Sequence, residues 1–228
     1  LIQPAIIWQD CLAIFSAVPF TLGTAFAILI ASILIGMLIA WVRINNIPVA
    51  KQIVHFWIHY IRGIPLIIHL YLAYYALTPL VNGLMALLGS TQTLQVSPLA
   101  VLIVAYSLYA SIGQSENIRG AYLSVDRQQW DASYSVGFTG LQAMRRVILP
   151  QGLVVALPVF CNSYLNIIKG LSLAFTIGVS DILARAKICS AQNFCYLEAY
   201  IAAGLVYWVL CGSLGYAFQR MERSLKKW

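Results

Sequence analysis

Four long stretches of this chain contain no Asp, Glu, Lys or Arg: residues 11–42, 63–115, 147–168 and 199–219. A backbone in hydrocarbon must satisfy its own N–H and C=O groups, so only helices and closed barrels cross a bilayer. A spanning helix needs about 20 apolar residues, and a barrel strand about half as many. Runs of this length exclude barrel strands and predict an all-α membrane protein. Composition agrees, with 61% hydrophobic and 9% charged residues, where a soluble domain carries roughly 25% charge. A soluble all-helical protein would need several buried helices of spanning length and a polar shell that these residues cannot supply.

The runs resolve into five spans, at residues 19–42, 54–77, 98–118, 149–168 and 200–218. The apolar piece Leu84 to Leu88 is fenced by Pro79, Gly83, Gly89 and Ser90 and reads as a short surface or re-entrant segment. Phe175 to Ile182 is too short to cross and is followed by charge. Residues 1–17 lack the basic start of a secretory signal, and the apolar stretch after them is too long for one. The whole chain, residues 1–228, reads as a single transmembrane domain.

With five spans, Arg43, Lys51, Arg119, Arg127, Arg145, Arg146, Arg220, Arg223, Lys226 and Lys227 share one side. Only Lys169, Arg185 and Lys187 fall on the other, and Arg62 lies in or near the second span. Basic residues mark the cytoplasmic side, so the expected N-terminus is outside and the C-terminus cytoplasmic. The net charge of +7 then fits contact with anionic lipid better than with nucleic acid.

Cys11, Cys161 and Cys211 lie in or near apolar helices and read as packing residues. Cys189 and Cys195 flank a short polar segment on the expected outer face, where a disulfide would persist; they are the candidate bridge. No metal-ligand spacing, catalytic triad or Gly-rich phosphate loop with a following Lys and Ser/Thr stands in the sequence. The chain is therefore expected to be no enzyme and to hold no cofactor of its own.

One segment on the expected cytoplasmic side is long, at residues 120–151. It predicts two helical pieces, 127–136 and 140–147, with Gly137 as the break and Thr139 as a cap. Trp130, Tyr134, Phe138 and Leu141 recur at roughly helical spacing beside Arg145 and Arg146. Such a stripe suits either a groove in a partner protein or the headgroup region of a bilayer.

The same segment resembles the signature loop of importer permeases of the ATP-binding-cassette class, written Glu-Ala-Ala, three residues, Gly, nine residues, Ile-x-Leu-Pro. Asp131, Ala132 and Ser133 stand at the opening triplet, Gly137 at the glycine, and Val147, Leu149 and Pro150 at the close. Asp131 keeps the charge of Glu with a shorter reach, and Ser133 keeps the small size of Ala. Tyr60-Ile61-Arg62-Gly63-Ile64-Pro65-Leu66 resembles the Arg-Gly-x-Pro element of polar amino acid uptake permeases. Phe20-Thr21-Leu22-Gly23 and the helix with Gly36 resemble their first span. Asn162, Lys169, Ser172, Leu173 and Ile177-Gly178-Val179 are similar to their Asn…Lys-Asp-Thr-Ser-Leu…Ile-Gly-Val stretch, with Gly170 and Leu171 where Asp and Thr or Ser are usual.

The resemblance covers residues 18–220 and implies a type I, MetI-like permease core in a bacterial plasma membrane. It implies that residues 120–151 dock on an ATPase subunit, with Trp130, Asp131, Ala132, Ser133, Gly137, Phe138, Leu141, Arg145, Arg146, Leu149 and Pro150 as the coupling residues. It implies a second permease subunit, identical or homologous, two ATPase subunits that bind ATP and Mg, and an extracytoplasmic solute-binding protein. The implied cargo is a polar amino acid; a permease of the same superfamily for another small solute is the alternative.

Polar groups in or near the spans are the candidate pathway residues, because each costs several kcal/mol unless paired or facing water. Arg62 reads as a gating or structural residue, or as one that snorkels to the surface. His69 reads as either a packing residue or a pathway contact. Gln114, Ser115, Glu116 and Arg119 make the end of the third span too polar for lipid, and Glu116 and Arg119 can pair along one face. Lys169 lies near the outer end of the fourth span. Glu198 suits a helix N-terminus or the attraction of a cationic substrate. Glu116 and Glu198 together tilt the expected substrate toward a cationic side chain.

Overall fold

The computed structural model describes residues 2–90 and 92–225, all of them helix or short connection. Lys226 and Lys227, counted above with the basic C-terminal end, lie outside the described residues. Among the described residues, five helices are long and apolar enough to cross a membrane. Prolines stand in the first turn of five helices, at Pro4, Pro19, Pro48, Pro98 and Pro150, because a first-turn N–H has no intrahelical partner to lose.

The chain opens on a helix absent from the sequence reading, α1 (Pro4–Phe15), too short to cross. The first span is α2 (Val18–Ile44). The second span differs from expectation. Ile64 and Pro65 are extended, and they divide the 54–77 stretch into α3 (Pro48–Gly63) and α4 (Leu66–Leu87). Proline bars its predecessor from helical backbone, and Gly63 gives the helix a soft end. The crossing helix is therefore α4, and Leu84 to Leu87 is its last turn rather than a separate piece. Pro79 lies inside α4 without ending it.

α5 (Pro98–Leu123) is the third span, capped by the Ser97 hydroxyl. The segment that follows forms α6 (Arg127–Ser135) and α7 (Gly140–Ala143), with Asp126 and Thr139 as their caps. Gly137 takes φ +84 between them, a left-handed conformation that glycine adopts without steric cost. A π-helical turn, Met144–Ile148, joins α7 to the fourth span, α8 (Leu149–Gly170). A 3₁₀ segment, Leu171–Ile177, and Gly178 at φ +83 turn the chain into α9 (Ile182–Asn193). The fifth span is α10 (Tyr196–Leu225).

The centre of the bundle is α2 packed along α5. Ala25, Ile28 and Leu29 meet Leu102, Ala105 and Tyr106, and the end of α8 with the start of the 3₁₀ segment closes the cluster through Ile167, Ile168 and Leu171. Gly36 sets the closest approach: a Cβ there would stand 2.9 Å from both the Gln114 Cβ and the Ser115 amide nitrogen. Small residues are the means by which membrane helices pack, since lipid removes most of the hydrophobic driving force between them. Ser32 and Ser115 return their hydroxyls to their own helices, at Leu29 O (2.8 Å) and Ile112 O (2.7 Å). A second core joins α1, α9 and α10 through Ile14, Ile182, Ala186, Ala202 and Ala203. A third binds α3 to α2 and α5 through Ile39, Ile58, Ile61 and Ile112.

Candidate functional site

Two groups of residues share one end of the bundle, where α2 and α5 finish and α8 begins. The first is an ion cluster. Glu116 Oε1 accepts from Arg43 Nη1 at 2.9 Å and from Arg62 Nη2 at 3.2 Å, while Arg119 Nε stands 3.5 Å from Oε2. The pairing of Glu116 with Arg119 expected along α5 is thus one of three. Arg62 closes α3 just before the extended Ile64–Pro65 link, so it lies outside the crossing helix. The cluster ties α2, α3 and α5 at one carboxylate, and three cations on one anion leave two positive charges in excess. Arg43 was counted only as a basic residue in the sequence; its partner is 73 positions away, and no local pattern reveals it.

His69, four residues into α4, is buried against α5. Its Nε2 lies 3.1 Å from the Ala105 carbonyl and its Nδ1 3.5 Å from the Tyr60 hydroxyl. Trp57, Tyr60 and Tyr109 pack around the ring. These contacts pin both sides of the α3–α4 break to α5. Gln114 and Ser115 are also buried, inside the α2–α5 contact at Gly36, with Gln114 Oε1 accepting from Asn117 at 3.0 Å.

The second group is the segment α6–α7. Asp131, Ala132, Gly137, Arg145, Arg146 and Pro150 are exposed. Tyr134, Val136 and Leu141 are exposed too, Leu141 at 79%. Trp130 faces inward: it packs edge-on to Tyr122 of α5 and against Tyr134. Ser133 is buried and donates to Gln129 O at 2.6 Å. Arg146 lies over the Phe138 ring at 5.5 Å, a cation–π contact. Trp130, Ser133 and Phe138 therefore brace the segment, and its outer surface is apolar with basic residues beside it.

From Gly140 the helical path runs without interruption through the π turn and Leu149 to Gly170. At 1.5 Å per residue it is on the order of 45 Å long. Gly152 is the close contact of this path with α5; its Cβ would meet Ala121 O at 3.5 Å. One face of α8 is open along its length: Val155, Val159, Asn162, Asn166 and Lys169 are all exposed. Their spacing of four, three, four and three residues is one helical stripe, and its second half is polar. Asn166 escaped the sequence reading, although its place between Asn162 and Lys169 carried the signal.

At the far end, Glu198 is buried in the first turn of α10 and accepts the Gln3 amide at 3.2 Å. Asp10 of α1 is buried beside it; burial, with Glu198 nearby, raises the Asp10 carboxyl above its ordinary range. Cys189 and Cys195 are both free thiols, so the candidate bridge is not formed. Among the described residues no group of His, Cys, Asp and Glu is gathered to hold a metal ion.

This architecture, five crossing helices with an exposed helical segment between the third and fourth, is that of a transport permease. The chain belongs to the family described as binding-protein-dependent transport system inner membrane component, which it matches over residues 6–227. It is 36% identical to the probable amino-acid ABC transporter permease protein PatM of Vibrio harveyi, over 79% of this chain and 77% of that one. It is 34% identical to the L-cystine transport system permease protein TcyL of Bacillus subtilis, over 92% of this chain and 85% of the relative. The permease of an amino acid ABC transporter crystallised with histidines superposes with a TM-score of 0.82 at 27% identity, covering 98% of this chain and 99% of that one. The methionine transporter MetNI, at 16% identity and a TM-score of 0.69, shares the fold. The chain is a multi-pass membrane permease rather than a catalyst.

Proposed function

We propose that this chain forms half of the pathway of an ATP-driven importer of polar amino acids and transmits ATPase motion to that pathway. The observation that carries the reading is the continuous helical path from Gly140 to Gly170. Its first turns stand beside the exposed α6–α7 surface, and its last turns present Asn162, Asn166 and Lys169. Amides and an ammonium are costly against lipid, so this face borders water and a second permease subunit, identical or homologous. A cleft in a partner ATPase receives Tyr134, Val136 and Leu141, with Arg145 and Arg146 at its rim. ATP and Mg are bound by two such partners, and a solute-binding protein delivers the amino acid from outside.

The orientation follows the charges. Arg43, Arg62, Arg119, Arg145 and Arg146 share the end that carries α6–α7, and this excess of basic residues supports a cytoplasmic position for that end and an outer one for the N-terminus. Pushing α6–α7 moves the root of α8, and the stripe on α8 exchanges access between the two sides. This is a shift between two populated states, with no covalent chemistry in this chain. Relatives named for amino acid, cystine, arginine and glutamine transport support the substrate class.

The test is reconstitution in proteoliposomes with the ATPase and solute-binding protein. Amino acids should stimulate ATP hydrolysis and accumulate. Deleting residues 130–141, or reversing the charges of Arg145 and Arg146, should leave the bundle inserted and abolish stimulation. Hydrolysis that no amino acid stimulates would refute the reading.

A further inference from the structure

We infer that Lys169 holds the carboxylate of the transported amino acid, and that the pathway favours amino acids of zero or negative net charge over cationic ones; this rests on the importer reading above. A cationic side chain needs a carboxylate along its path, and the acids of this chain are engaged elsewhere. Glu116 is held by three arginines. Glu198 and Asp10 are buried together among α1, α9 and α10. Asp126 and Asp181 cap α6 and α9, and Asp131 lies on α6. Glu222 of α10 is likewise engaged in an interaction of its own. The two acids that pointed to a cationic substrate in the sequence are therefore both occupied.

The open face of α8 has the opposite character. Lys169 is its one charged residue, exposed at the end of a stripe whose other polar members are Asn162 and Asn166. The salt bridges among the described residues all fall on Glu116, and none on Lys169. The next position is sterically closed to a compensating carboxylate. Gly170 abuts the Tyr106 hydroxyl, and any Cβ there would run into it, with the ring carbon Cζ only 3.0 Å away. Tyr106 itself is buried in the central core, so displacing it would disturb the packing around it. Gly170 and Tyr106 together keep the ammonium of Lys169 unneutralised by its neighbour. An ammonium with adjacent amides is a receptor for a carboxylate, whereas a guanidinium or second ammonium arriving there is repelled. The two-charge excess around Glu116 gives the other end of the bundle the same sign.

The experiment is equilibrium binding of radiolabelled L-glutamine, L-glutamate and L-arginine to the detergent-purified permease–ATPase assembly without the solute-binding protein. Glutamine and glutamate should bind at least tenfold more tightly than arginine. Lys169→Gln should weaken both at least tenfold, Lys169→Arg should retain them within about threefold, and Lys169→Glu should reverse the order in favour of arginine. Arginine bound as tightly as glutamine, or affinities that ignore the Lys169 substitutions, or no binding of any of the three, would overturn the inference. In each of these cases the importer reading survives if amino acids still stimulate ATP hydrolysis in proteoliposomes, so the two failures are separable.

Discussion

Replacing Glu116 by Gln removes one carboxylate from three arginines at once, and the structure apportions the loss. The Arg43 contact, at 2.9 Å with an Arg43 side chain only 17% exposed, is a charge-assisted bond worth about 1–2 kcal/mol. Arg62 contacts the same oxygen at 3.2 Å but is 62% exposed, so solvent screening reduces it to about 0.5 kcal/mol. Arg119, one helical turn along at 3.5 Å, adds about 0.3 kcal/mol. The sum is roughly 2–3 kcal/mol, and a chain of this size loses about 2–4 °C of Tm per kcal/mol. Glu116→Gln should therefore lower the apparent Tm of the purified permease by roughly 4–12 °C. A double-mutant cycle with Arg43→Gln should recover a coupling of about 1–2 kcal/mol, and the cycle with Arg62→Gln less than about 0.5. A neutral Glu116→Gln, or a larger coupling to Arg62 than to Arg43, would refute the assignment of α2–α5 as the main bond of this cluster.

Gly36→Ala should separate α2 from α5 and cost about 1–3 kcal/mol, visible as a loss of folded yield and Tm, because both Cβ contacts at 2.9 Å involve α5 residues that cannot move independently. Gly170→Ala should be comparably damaging and partly rescued by Tyr106→Phe, which removes the hydroxyl in its way; equal Tm values for the single and double variants would contradict that packing. Leu141→Asp should abolish co-purification of the ATPase while the permease still inserts, since Leu141 is 79% exposed and contributes little to the bundle. Burial raises the Asp10 carboxyl, so the folded state binds its proton more tightly than the unfolded chain. Stability from Asp10 is then complete below about pH 4 and falls as pH rises through its raised native value. Asp10→Asn should remove that dependence and raise Tm at neutral pH, read by thermal unfolding across a pH series.

The spans were legible because charge-free runs of helical length admit few folds, and α6–α7 was legible because Gly137 and Thr139 carry backbone signals of their own. The division of the second span was missed for a physical reason. Residues 54–77 are apolar apart from Arg62 and three histidines, and hydropathy does not register that Pro65 forces Ile64 out of the helix. α1 was missed because a short apolar helix on the rim leaves no charge pattern. The ion cluster depends on partners 73 and 54 residues apart in sequence, which only the bundle brings together. His69 and Gln114 show the complementary limit: a polar residue in an apolar run signals a satisfied partner, here Ala105 O and Asn117, as readily as a water-lined path.

The account stands on the open face of α8 bordering a water-filled path. With all five native cysteines replaced by alanine, single cysteines at 155, 159, 162, 166 and 169 should react with a membrane-impermeant thiol reagent in intact vesicles, and saturating amino acid should protect 162 and 166. Cysteines at 152, 156 and 167, on the packed face, should stay unreactive. Uniform labelling around the helix, or silence at 162, 166 and 169, would contradict the proposed pathway.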